Sequence, residues 1–135
     1  MSTMTVELRN IAGTEAALGW ANGHTLVVDR AAGQAGGHGL GFNGGELLAL
    51  TIGGCFANDL RYTAHAMGLS IGAIALTVTV DIDGTPLICR SARMQVSVEL
   101  VDGADPTDLI ARTEAISMAA NSLRRGFPVE VVRAG

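Results

Sequence analysis

The sequence predicts an α+β fold with elements in the order β-β-β-α-β-β-α-β, and three patterns carry that reading. An Asn22-Gly23 pair between apolar runs marks a two-residue hairpin turn. Residues 46–67 keep an apolar face at helical spacing and stop at Gly68. Residues 73–83 and 92–100 each alternate apolar side chains on either side of a DGTP turn, the mark of a hairpin with one buried face. Together these lay helices on antiparallel strands.

The first strands are TVELR at 5–9, a stretch near EAALGW at 15–20, and HTLVVDR at 24–30. Nine of the eighteen glycines then fall between Gly33 and Gly54, so 31–45 reads as a loop, mobile unless a partner or ligand covers it. Asn43 stands where a helix N-cap belongs, and the helix runs over 46–67. In the hairpin, Ile74, Leu76, Val78, Val80 and Ile82 face one way, matched by Met94, Val96, Val98 and Leu100. Asp105-Pro106 opens a second helix whose apolar stripe is Leu109, Thr113, Ile116, Ala120 and Leu123, closed by Arg124, Arg125 and Gly126. PVEVVR at 128–133 reads as a last strand.

A chain of 135 residues supports one domain, taken as 1–135, with one core. Hydrophobic residues make up 48% but aromatics only 4%, so Ala, Leu, Ile and Val must fill that core. No apolar run approaches the roughly 20 residues of a membrane span, and MSTMTVELRN lacks the pattern of an export signal. The expected location is cytoplasmic, with the apolar excess pointing to self-association. A net charge of −4 argues against nucleic acid. Two cysteines without CxxC spacing and three scattered histidines give neither a disulfide framework nor a metal site, and no cofactor is expected. GLGFNG at 39–44 matches GxGxxG by letter, but eight residues separate it from Arg30 and no parallel crossover follows. A closely packed or mobile loop fits it better than a phosphate cradle.

Cys55 is the residue with chemistry to explain. On a helical wheel Ala49, Ile52, Gly53, Phe56, Ala57, Leu60, Ala64 and Met67 form the apolar face. The opposite arc carries Thr51, Cys55, Asn58, Asp59, Arg61, Tyr62 and His65, so the thiol sits among hydrogen-bonding groups. That arc is either a solvated face or, since Leu47, Leu48 and Leu50 crowd its first turn, one covered by another surface. Asp59, one turn after Cys55, opposes a thiolate and calls for a compensating cation. Glu114, Ser117, Asn121 and Arg124 form a polar stripe on the second helix. If it faces the first helix, Arg124 pairs with Asp59 or steadies the thiolate; otherwise Arg124 complements its own helix C-terminus.

ELLALTIGGCFANDL at 46–60, AMGLSIGAIALTVTVDIDG at 66–84 and ANSLRRGFPVEVV at 120–132 resemble the OsmC/Ohr family of small thiol-dependent peroxidases. The resemblance extends over most of the chain from about residue 25. It implies an OsmC-like fold, an intertwined homodimer whose strands wrap two Cys-bearing helices, and a site at the subunit interface. It maps the peroxidatic cysteine onto Cys55. The family's supporting glutamate maps onto Gly45, with Glu46 shifted by one, and its resolving cysteine maps onto Ser117. The family's early arginine has no match near Asn22-Gly23-His24. A sulfenic acid at Cys55 would then be cleared by an external thiol, unless folding brings Cys89 close.

Two functions follow from different classes. The first is a one-cysteine hydroperoxide reductase in oxidative-stress defence, using Cys55 and an external thiol. The second is a non-catalytic or redox-sensing dimer that binds a small apolar ligand at the subunit interface, positioned by Cys55, Asn58, Asp59 and Arg124. Glu46, Ser117 and Asn121 complete the set of expected supporting residues.

Overall fold

A computed structural model describes residues 1–135, which divide into two compact units, 1–48 and 49–135. The first unit holds three short strands, β1 (Glu7–Asn10), β2 (Ala17–Ala21) and β3 (His24–Val28), in an antiparallel sheet of order β1-β2-β3. Asn22 and Gly23 join β2 to β3 with φ of 52° and 86°, the two left-handed positions of a type I′ turn. Asparagine and glycine tolerate that geometry better than other residues, which is why this pair fixes the register Ala21 opposite His24.

The glycine-rich segment after β3 is tied down. Phe42 bridges Val28 in parallel; its amide donates to the Val27 carbonyl at 3.0 Å, and its own carbonyl accepts from the Asp29 amide at 3.1 Å. The buried Asp29 carboxylate accepts from the backbone amides of Arg30 (2.8 Å), His38 (3.1 Å) and Leu40 (3.1 Å), with the Arg30 guanidinium 3.3 Å away. The Leu40 amide, then those of His38 and Arg30, hold this carboxyl below the ordinary aspartate value against the opposing effect of burial. Of the two readings of this loop, closely packed or mobile, these hydrogen bonds support the packed one. Glycines let the chain turn tightly here, and one carboxylate gathers the amides that the turns expose.

The second unit is built on α1 (Gly44–Met67), which starts in the first unit and continues through the second. Its start is a capping box: Asn43 Oδ1 accepts from the Glu46 amide at 2.9 Å and Glu46 Oε1 accepts from the Asn43 amide at 3.1 Å. Its end is Gly68, at φ 67°, with the Leu69 amide returning to the Ala64 carbonyl at 2.8 Å. The hairpin β4 (Ile71–Asp83) and β5 (Ile88–Leu100) is longer at both ends than the alternation indicated. Ile74 pairs with Val98, Leu76 with Val96 and Val78 with Met94, which keeps both apolar sets on one face. Phe56, Leu60 and Ala64 of α1 pack with Val98 and Leu100 of β5 and with Leu109 to form the core. Leu60 and Leu109 are 0% and 1% exposed, each contributing about 1.5–3 kcal/mol of burial.

The expected second helix is two helices, α2 (Thr107–Ile116) and α3 (Met118–Arg125). Asp105 caps from outside, its Oδ1 accepting from the Thr107 amide at 3.0 Å and hydroxyl at 2.7 Å, with Pro106 at the N-cap position. The break is at Ser117, extended at ψ 111°. Serine is a poor helix interior residue, and the Asn121 side chain takes up the Ala115 carbonyl at 3.1 Å. The break re-aims the apolar stripe: Leu109, Thr113, Ser117 and Ala119 are buried, whereas Ile116 and Leu123 are exposed.

The last strand is not formed. Residues 126–135 are irregular and exposed, because alternation makes a strand only where a neighbour supplies a ladder. The order is thus β-β-β-α-β-β-α-α. No helix is long and apolar enough to cross a membrane.

Candidate functional site

Cys55 lies in the middle of α1, whose buried side presents Ile52, Gly53, Phe56, Leu60, Thr63 and Ala64. Those residues fix the rotation of the helix, and so fix what the other side presents. At Gly53 a Cβ would lie 2.9 Å from Cγ2 of Val78, so the helix backbone comes close to the hairpin and any larger residue must push the two apart. The half-buried Cys55 is thereby held on the opposite arc.

Its Sγ donates to Oδ2 of Asp59 at 3.4 Å, one helical turn on. The Thr63 hydroxyl donates to the Asp59 backbone carbonyl at 2.8 Å. No arginine or histidine forms an ion pair with Asp59. Continuing along the same arc, Asn58, Arg61, Tyr62 and His65 line an open groove of about 410 Å³. Arg61 is tethered at one end of it by a 3.4 Å hydrogen bond to the Ile71 carbonyl. The arrangement gives a sulfur nucleophile and a proton acceptor in direct contact, on the same helix as a solvent-facing groove lined by Asn58, Arg61, Tyr62 and His65.

The other expected site residues lie elsewhere. Glu46 is occupied in the capping box at the start of α1. Arg124 donates to Asn121 Oδ1 at 2.9 Å and lies 3.9 Å from Glu114; of the roles the sequence left open for it, the pair with Asp59 is not formed within the chain. Ser117 is fully buried, and its hydroxyl has no hydrogen-bond partner. Cys89 is exposed on β5, donating to the Ser91 carbonyl at 3.4 Å, and both cysteines are free. No group of three His, Cys, Asp or Glu side chains is placed to hold a metal ion.

The GLGFNG loop fails the test of a phosphate cradle on its own hydrogen bonds. A cradle needs outward backbone amides, but those of His38 and Leu40 point to Asp29, and that of Gly39 to the Arg30 carbonyl. Sequence reasoning missed Asp29. The available signal was a lone acid ending an apolar strand, just before a glycine-rich turn.

Residues 37–132 match the model of the OsmC-like protein family. No curated protein sequence matches the chain significantly. Among solved structures it is similar to an OsmC-like protein from Mycoplasma pneumoniae, at 14% identity and TM-score 0.74 over 91% of this chain and 88% of that one. A Legionella pneumophila organic hydroperoxide resistance protein, OsmC, aligns at 17% identity and TM-score 0.64, over 92% of this chain and 90% of that one. An organic hydroperoxide resistance protein from Elizabethkingia anophelis, with thiocyanate bound, aligns at 15% identity and TM-score 0.68, over 92% and 89%. These likenesses bear out the α+β fold expected from the sequence.

Proposed function

The chain belongs to the OsmC-like family, and on that premise we propose that it reduces organic hydroperoxides through Cys55, as a one-cysteine enzyme recharged by external cytoplasmic thiols. The observation that carries this is the Cys55 thiol itself: free, half-buried, hydrogen-bonded to Asp59, and on the helix where the family resemblance places the peroxidatic cysteine. Cys55 Sγ attacks the distal peroxide oxygen, the O–O bond breaks, and the alcohol leaves with a proton. The resulting sulfenic acid condenses with an external thiol, releasing water and leaving a mixed disulfide. A second thiol then frees Cys55 as the external disulfide departs. Ser117 has no sulfur to resolve the sulfenic acid, and Cys89 is exposed and bonded to Ser91, so the reductant comes from outside.

The working form in this reading is a homodimer. Phe127, Val129, Val131 and Val132 are 63–91% exposed, and Ile116, Met118 and Leu123 on α2 and α3 are 43–65% exposed, an expanse that a partner copy would cover. A second reading, a non-catalytic or redox-sensing dimer that holds a small apolar ligand, is favoured by one observation: a carboxylate, rather than a cation, meets the thiol. Intact-protein mass spectrometry after tert-butyl hydroperoxide, with and without a dithiol, separates the two. Repeated peroxide consumption with dithiol, lost in Cys55→Ser, is the expected result. A single oxygen added at Cys55 without turnover supports the sensor, and an unoxidised Cys55 supports ligand binding.

A further inference from the structure

We propose that Asp59 is the proton-transfer residue of Cys55, taking the thiol proton as sulfur attacks and returning it to the departing alkoxide. The inference rests on the hydroperoxide-reductase reading and assigns a catalytic role to a second residue of that site.

The geometry separates two ways of making a cysteine nucleophilic. One is to stabilise a standing thiolate with a cation or with hydrogen-bond donors. Cys55 has neither among its contacts, since its hydrogen-bond partner is an acceptor, Asp59 Oδ2 at 3.4 Å. The other is to leave the thiol protonated at rest and give its proton a destination during attack. An aspartate in direct contact with the S–H, on a rigid helix, provides that destination.

Three further features fit. Asp59 is half-buried and paired with no arginine or histidine, so its carboxylate is free to accept a proton. Its turn of helix is clamped by Phe56 and Leu60, 3% and 0% exposed, which holds the i, i+4 spacing. The ionisable neighbours on the same helix are Arg61, Tyr62 and His65 along the groove, with Arg61 tethered to Ile71. The hairpin and α2 meet α1 through an apolar cluster.

The step balances. The Cys55 sulfur lone pair forms the S–O bond to the distal peroxide oxygen as the S–H proton passes to Asp59. The O–O bond breaks, carrying its electron pair to the alkoxide. Asp59 then gives the proton to that alkoxide, so thiol and hydroperoxide become sulfenic acid and alcohol with Asp59 again a carboxylate. Sulfur is oxidised and the peroxide is reduced.

The alternative role of Asp59, a charge that merely repels a thiolate, predicts the opposite sign. The test is single-turnover oxidation of Cys55 by tert-butyl hydroperoxide across a pH series, in a Cys89→Ser background. Asp59→Asn should slow oxidation about tenfold or more below about pH 7. It should converge with the parent at alkaline pH, where hydroxide can take the thiol proton without Asp59. An Asp59→Asn protein that is as fast or faster throughout overturns the proposal. A solvent isotope effect of about two or more on the parent at low pH reports the proton in flight without any substitution. Its absence also overturns the proposal, even if Asp59→Asn fails to fold. If the parent consumes hydroperoxide in a Cys55-dependent way but shows neither signature, only the role of Asp59 falls. If it consumes none at any pH, the reductase reading falls and takes this role with it.

Discussion

Gly53 and Gly54 are adjacent in α1, yet replacing each by alanine should move stability in opposite directions. In a helix interior alanine is better than glycine by about 0.8–1.0 kcal/mol. At Gly54 nothing lies within 4 Å of the new methyl, so Gly54→Ala should keep that gain. At Gly53 the methyl would stand 2.9 Å from Val78 Cγ2, where ordinary contact begins near 3.4 Å, so helix and strand must part by about half an ångström. Valine is stiff at χ1 and lies within a paired strand, so it yields little. Overpacking of this kind costs about 1–3 kcal/mol. The cost outweighs the gain, leaving Gly53→Ala about 1 kcal/mol less stable, a fall of roughly 3–5 °C in Tm for a chain of this size. The assay is thermal unfolding at one fixed protein concentration, with Val78→Ala completing a double-mutant cycle. With Val78 shortened, Gly53→Ala should become stabilising. If it already stabilises the parent by the full helix-propensity gain, the close approach of α1 to β4 is wrong, and with it the rotation that places Cys55.

Ser117→Ala should be neutral or stabilising by about 1–2 kcal/mol, because it removes a buried hydroxyl without a partner; a urea midpoint that drops would show that the hydroxyl is satisfied in solution. Asp29→Asn should raise amide exchange at His38 and Leu40, read by hydrogen–deuterium exchange, while amides in the α1 core stay protected. In the parent, the carboxyl of Asp29 is held below its unfolded value of 3.8, so its contribution to stability is complete above that value and is lost as pH falls through the lower folded one. Thermal melts from about pH 6 down to about pH 2 should therefore show an acid-side loss that Asp29→Asn lacks.

Much of the fold was legible because its signals are local. Asn22-Gly23, the Asn43 cap, Gly68 and the alternation in β4 and β5 each act within a few residues of themselves. Helical spacing likewise put Cys55 and Asp59 on one arc, where the structure joins them. Features decided at a distance were not legible. The break at Ser117 depends on which face α2 and α3 present to the core, and periodicity within 107–125 fits an unbroken helix equally well. Asp29 reaches amides nine and eleven residues ahead, a pairing that no sequence period marks. Arg124 could be placed on a polar stripe, but its choice of Glu114 and Asn121 depends on the bend between the two helices.

The unladdered segment 126–135 also bears on how copies of the chain can avoid fibrous aggregation. Val129, Val131 and Val132 favour extended backbone, and free strand edges of that composition are where cross-β stacks begin. Two residues within the segment act against this. Pro128 has no amide to contribute to a ladder. Glu130 would meet Glu130 in every layer of a parallel, in-register stack, and like charges directly opposite are destabilising. An antiparallel mate escapes that repulsion, since Glu130 then lies opposite a different residue in all but one register. The segment therefore penalises an endless stack more than a closed pair, so mutating Glu130 to an apolar residue would remove a safeguard that no assay of the Cys55 site would detect.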